Sequence, residues 1–121
     1  MSTGAPSAFP RRGDVYLVAL DPVVGAETEG THRAVVLSND TQNQFAETVT
    51  VAPATAQPAK KAYLHEVQVP AGVGGFTKDA RIKINQVRTV SKQRLRKYLG
   101  TLPVDYIQQC ETALGYHFDL S

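Results

Sequence analysis

Short runs in which β-branched and apolar residues crowd together, each bounded by turn formers, dominate the chain. In the first, Val15, Leu17 and Ala19 interleave with Tyr16, Val18 and Leu20, which predicts a strand over 14–20 that is apolar on both faces. Further strands are predicted over 33–37, 48–53, 63–69, 81–88 and 95–101. Ser38 or Asn39 can cap a short helix over 39–45, in which Phe45 reads as a core anchor. From Pro103 the period changes. Val104, Ile107, Cys110 or Glu111, Leu114 and Phe118 recur at steps of three and four, predicting an amphipathic C-terminal helix with Pro103 in its first turn. Residues 1–12, rich in Ser, Gly, Ala and Pro, read as a disordered tail, and residues 13–121 as one mainly β domain, a small curled sheet closed by a terminal helix.

Composition narrows the function classes. A lone Cys110 on the apolar side of the last helix reads as a packed thiol, and with no secretory leader it points to a reducing, cytoplasmic setting. The apolar runs are far too short to span a bilayer, so no membrane role is expected. With no Trp, one Met and three scattered His, no zinc or haem ligand set can be assembled, and neither a metal nor a cofactor is expected. No signature of a nucleophilic serine hydrolase is present either.

Charge adds a location. The net charge is +2. Residues 76–100 nevertheless carry +7, from Lys78, Arg81, Lys83, Arg88, Lys92, Arg94, Arg96 and Lys97 against Asp79, whereas residues 13–59 carry −5. Either a polyanion partner or a merely solvated face accounts for such a segment. Arg33 is more specific, because it stands where a polar loop after Asp21-Pro22 returns to the apolar strand Ala34-Val35-Val36-Leu37. A guanidinium fixed there suits a phosphate, since its planar fork matches paired phosphate oxygens at any working pH.

The stretch Gly13 to Arg33 is followed by Ser38-Asn39-Asp40, Val49-Thr50-Val51-Ala52-Pro53-Ala54-Thr55, Gly74-Gly75-Phe76-Thr77-Lys78-Asp79 and Gln86-Val87-Arg88-Thr89-Val90-Ser91-Lys92-Gln93-Arg94-Leu95. In that order these segments resemble the MazF/PemK family of toxin endoribonucleases over roughly residues 11 to 118. The resemblance implies an SH3-like barrel with a C-terminal α-helix, acting as a homodimeric mRNA interferase on single-stranded RNA. It also implies metal-independent cleavage by the RNA's own 2′-hydroxyl, leaving a 2′,3′-cyclic phosphate and a 5′-hydroxyl, and neutralisation by a cognate MazE-like antitoxin. The family's paired catalytic Arg and Thr fall on Arg33 and Thr55. Glu27 and His32, in the preceding loop, are candidates for auxiliary proton transfer, because arginine is a poor general base. Gln86 and Arg88 match polar positions of the family's Gln-x-Arg-Thr strand, to contact RNA, to close the dimer, or only to stabilise strand and interface, and Asn39, Lys78 and, beside its core reading, Phe45 are further RNA-binding candidates.

The chain departs from the family pattern at Ala34, where proline is usual, at Ala80, at Asn85, and in a 25–33 loop one residue longer than usual. Two other readings compete. A gyrase-poisoning toxin of the CcdB type shares the fold, but its C-terminal Trp-Gly-Ile is replaced here by Phe118-Asp119-Leu120-Ser121. A noncatalytic RNA-binding barrel would use the basic 76–100 segment without needing Arg33 and Thr55 together.

Overall fold

The computed structural model describes residues 8–20, 30–56 and 63–120 of the chain. In chain order it has β1 (Asp14–Ala19), β2 (Thr31–Val36), α1 (Asp40–Phe45), β3 (Thr48–Ala56), β4 (Glu66–Val69), β5 (Ala80–Lys83), β6 (Arg88–Ser91), β7 (Leu95–Thr101) and α2 (Val104–His117). All strand pairs are antiparallel, in the order β4-β5-β3-β2-β1-β7, with β6 also paired to β3. The central strands are apolar on both faces because each face has its own core. Val15, Val35, Ala52, Ile82, Ile84 and Phe76 pack on one side together with Cys110 and Ala113 of α2. Tyr16, Val18, Ala34, Val36, Val49 and Val51 pack on the other with Val90 of β6.

The sheet stays open where a barrel was expected, since β4 and β7 end the order and do not pair with each other. The glycine turn between β4 and β5 lies against β7 instead. A Cβ on Gly100 would come within 2.9 Å of the Gly74 carbonyl carbon, and one on Gly75 within 2.6 Å of the Leu99 oxygen. Backbone therefore meets backbone at distances only glycine permits, and a turn occupies the seam that a strand pair would have closed.

Other expectations shift for local reasons. The strand expected over 81–88 is broken by a 3-10 turn at Ile84–Gln86, where Val87 N–H donates to the Ile84 carbonyl. Beyond it Arg88–Ser91 forms a separate strand on β3. The 63–69 strand narrows to Glu66–Val69, and β3 runs on past 53 to Ala56. Pro53 is tolerated inside β3 because the strand exchanges partners there, from Ala34 at Pro53 to Ile82 at Ala54. The predicted short helix is capped by Asn39, whose side chain accepts from Gln42 N–H at 2.8 Å.

Phe45 is no core anchor, being 77% exposed at the end of a helix whose buried residue is Asn43. Helix α2 has Pro103 as its N-cap rather than in its first turn. Its buried face is narrower than the predicted stripe, with Cys110 and Ala113 inside, Ile107 and Leu114 half-buried, and Val104 and Phe118 at the two ends 68% and 56% exposed. Burial pushes the Cys110 thiol up to about 12, in keeping with a packed side chain. Among the described residues no helix is long and apolar enough to cross a membrane.

The Arg-Gly-Asp stretch that opens the domain is structural. Asp14 accepts from Arg11 N–H at 2.8 Å and from the Thr101 hydroxyl at 2.8 Å, tying the chain entry to β7. Burial raises the Asp14 pKa against those two hydrogen bonds. Arg12 reaches Asp40 through its backbone N–H and Glu111 through its guanidinium, so residues at the edge of the expected tail join α1 to α2.

Candidate active site

An open cleft of about 290 Å³ lies where β2 and β3 emerge from the first core, lined among others by Leu17, Arg33, Thr55, Phe76, Thr77 and Lys78. Arg33 sits on the same pleat of β2 as Val35, so the strand that buries Val35 delivers the guanidinium to the core's open end. Its stem is half-buried, and its Nε–H donates to the Gly75 carbonyl at 3.2 Å. That carbonyl is itself fixed, because Gly75 holds φ +87° against Leu99, a conformation and a clearance that exclude a side chain. Among the described residues the two terminal nitrogens of Arg33 have no hydrogen-bond partner and no carboxylate within ion-pair distance. One edge of the guanidinium is anchored and the other is unspent, an arrangement suited to an incoming anion.

Thr55 borders the same cleft from β3, opposite Arg81 of β5 in the strand register. Its hydroxyl is buried and has no hydrogen-bond partner. A buried hydroxyl left without a partner costs roughly 1–3 kcal/mol, a penalty the fold carries at Thr55. Lys78 stands exposed at the rim and adds positive charge there. His32 borders the cleft as well, although alternation along β2 sets it on the pleat opposite to Arg33. Glu27 lies outside the described residues. Among the described residues no three His, Cys, Asp or Glu side chains group together as metal ligands.

Three sequence candidates do not line the cleft. Asn39 is committed to capping α1. Gln86 lies in the 3-10 turn after β5. Arg88, at the head of β6, donates to the Leu20 carbonyl at 3.2 Å, and nearby Arg94 donates to the Ala19 carbonyl at 3.1 Å. With the bond from Leu20 N–H to the Gly30 carbonyl, these two guanidiniums fix the C-terminal end of β1. The basic 76–100 run is therefore not one charged face. Lys78 is at the cleft, Arg88 and Arg94 are spent on carbonyls, and Arg81 is buried against Glu66.

Sequence reasoning missed Gly75 as the anchor of Arg33 and Arg81 as the partner of Thr55 across the strands. A glycine pair before Phe76 was a visible signal for the first, while the second depends on strand register alone.

Comparison with known proteins agrees with this architecture. The family described as PemK-like, MazF-like toxin of type II toxin-antitoxin system matches residues 11–118. Endoribonuclease EndoA of Bacillus subtilis (strain 168) is 38% identical over 104 residues, which span 86% of this chain and 90% of that protein. Among solved structures, MazF from Deinococcus radiodurans superposes with a TM-score of 0.79 at 24% identity, covering 92% of this chain and 97% of that one. A mycobacterial endoribonuclease in complex with its cognate antitoxin superposes at 0.76 with 21% identity, covering 93% and 97%. At those identities the structural likeness establishes the fold.

Proposed function

Because this chain belongs to the PemK-like, MazF-like family of toxins of type II toxin-antitoxin systems, we propose that it is an endoribonuclease that cuts single-stranded RNA at preferred sequences through the RNA's own 2′-hydroxyl. The observation that carries the reading is that one cleft is lined both by Arg33, anchored through Nε with its terminal nitrogens unpartnered among the described residues, and by Thr55, whose buried hydroxyl has no partner. Its relative in Bacillus subtilis, named as an endoribonuclease, supports RNA cleavage as the activity.

In the proposed reaction the 2′-oxygen attacks the adjacent phosphorus, the bond from phosphorus to the 5′-oxygen breaks, and the 5′-oxygen takes up a proton. The 2′,3′-cyclic phosphate and the 5′-hydroxyl account for all atoms. The protein's contribution is to hold the chain in line and to neutralise charge that grows on the non-bridging oxygens. Arg33 meets two of those oxygens with its terminal nitrogens, already oriented by Gly75. Thr55, whose hydroxyl has no other partner, donates it to the same phosphate. Lys78 steers the polyanion to the rim. His32, which borders the cleft, and Glu27 are the candidates for auxiliary proton transfer.

Two partners complete the proposal. A second copy of the chain would cover apolar surface and extend the cleft into a groove for RNA, and an acidic antitoxin segment would neutralise the toxin by occupying that groove. The solved complex of a mycobacterial endoribonuclease with its antitoxin is the precedent in this fold.

The reading is tested by incubating the purified protein with a long mixed-sequence RNA in excess chelator and mapping the new ends. Cuts at a recurrent sequence, with cyclic phosphate and 5′-hydroxyl ends, are expected. They should be abolished by a 2′-deoxy nucleotide just 5′ of the cut. Chelator-sensitive cleavage or a 5′-phosphate product would refute it.

A further inference from the structure

The face of β3, β5 and β4 turned away from the first core carries a polar cluster of which the reaction above uses only Thr55. Ala54, Ile82 and Val67 fill the core side of these strands, and the alternate positions Thr55, Arg81 and Gln68 are aligned across them on the other side. Arg81 is only 5% exposed. Its Nη1 donates to Glu66 Oε1 at 3.1 Å, in an ion pair whose side chains are 6% and 9% exposed. Its Nε and Nη2 are buried without a hydrogen-bond partner, as is the hydroxyl of Thr55, its direct partner across the strands.

Unmade buried donors are scarce in folded proteins, and directly opposed residues on one face of a sheet lie within side-chain reach. The unspent capacities are also complementary. A guanidinium only donates, whereas a hydroxyl oxygen can accept one hydrogen bond while it donates another.

We propose that Arg81 is a positioning residue for Thr55. When substrate engages, the Nε or Nη2 N–H of Arg81 donates to Thr55 Oγ1, and the single hydroxyl proton is left directed at the phosphate. Glu66 holds the guanidinium from its far end, so that the edge left over is the one offered to Thr55. A hydroxyl that accepts from a cation is polarised and becomes a stronger donor. The inference rests on the proposed ribonuclease reading and names the group that orients one of its two phosphate donors.

A double-mutant cycle on the steady-state kinetics of RNA cleavage tests it, with Thr55→Val, Arg81→Met and their combination. Arg81→Met should lower kcat by about 10-fold with little change in KM, and should cost nothing further in the Thr55→Val background. Arg81→Lys, which keeps a charged donor and a partner for Glu66, should recover most of the rate. Should Arg81→Met fail to fold because Glu66 is stranded, Glu66→Leu combined with Arg81→Met removes the whole ion pair and enters the same cycle. An unchanged kcat in Arg81→Met, or an equal fold-loss with and without the Thr55 hydroxyl, overturns the proposal while leaving the ribonuclease reading intact. Absence of cleavage by the unaltered protein overturns that reading, and this inference with it.

Discussion

Arg33 shows how much of a functional side chain's behaviour is set by one neighbour. With Nε tied to the Gly75 carbonyl, the guanidinium keeps its terminal fork oriented without spending it. Arg33→Ala should therefore lower RNA cleavage on the order of 10²-fold or more with the fold intact by circular dichroism, comparable to deleting one preorganised transition-state donor. Arg33→Lys should rescue poorly, because a point charge cannot reproduce a bidentate fork. Acid sensitivity belongs to the same scale. Burial alone would raise the Asp40 pKa, but the Arg12 N–H, the Asn43 amide and the charges of Arg11 and Arg12 together hold it below its ordinary value of 3.8. Its stabilising contribution is thus complete above that value and is lost as pH falls through the lower folded one. Asp14 acts in the opposite sense, since its raised pKa means that ionisation on going up in pH costs stability. Urea melts should show Asp40→Asn less stable than the unaltered protein at about pH 7, with the gap closing at about pH 2.5.

At the scale of elements, the glycine turn between β4 and β5 does two things at once. It fills the seam beside β7 and supplies the carbonyl that anchors Arg33. Gly75→Ala combines a φ of +87° with a Cβ 2.6 Å from the Leu99 oxygen, so a loss of about 1–3 kcal/mol in thermal or urea unfolding is expected. Activity should fall further than stability explains, because the Arg33 anchor moves with the turn. An active, fully stable Gly75→Ala protein would show that the turn is not the anchor. The clamp formed by Arg88 and Arg94 on the Leu20 and Ala19 carbonyls is a second case, in which basic residues set the end of β1.

For the whole molecule, large apolar side chains stay exposed at the ends of the two helices, among them Phe45, Tyr116, Phe118 and Leu120. A domain this small buries a limited share of its apolar surface by itself, and a two-fold partner is the usual remedy. Light scattering at micromolar concentration should report about twice 13.1 kDa. A monomer that cleaves RNA at full rate would contradict the proposed dimer. An acidic antitoxin segment that folds onto the toxin should abolish cleavage in proportion to its occupancy, measurable by titrating it against a fixed toxin concentration.

The sequence by itself determined the elements whose signal is local. The alternation of Val15 to Leu20, the cap at Asn39 and the change of period at Pro103 each depend on residues a few positions apart, and each appears in the fold. It also carried the family, because the motifs lie along the chain in order. Tertiary structure decided what depends on distant partners. Nothing local distinguishes 81–88 as one strand from β5, a 3-10 turn and β6, since its break comes from β3 having two different neighbours along its length. Phe45 looks like a core residue until the short helix that carries it turns it outward. The burial of Arg81 on Glu66, its register opposite Thr55 and the capture of Arg33 by Gly75 join residues 15, 26 and 42 positions apart. Such pairings follow from which strands lie side by side, a property of the closed-up chain that no window along the sequence contains.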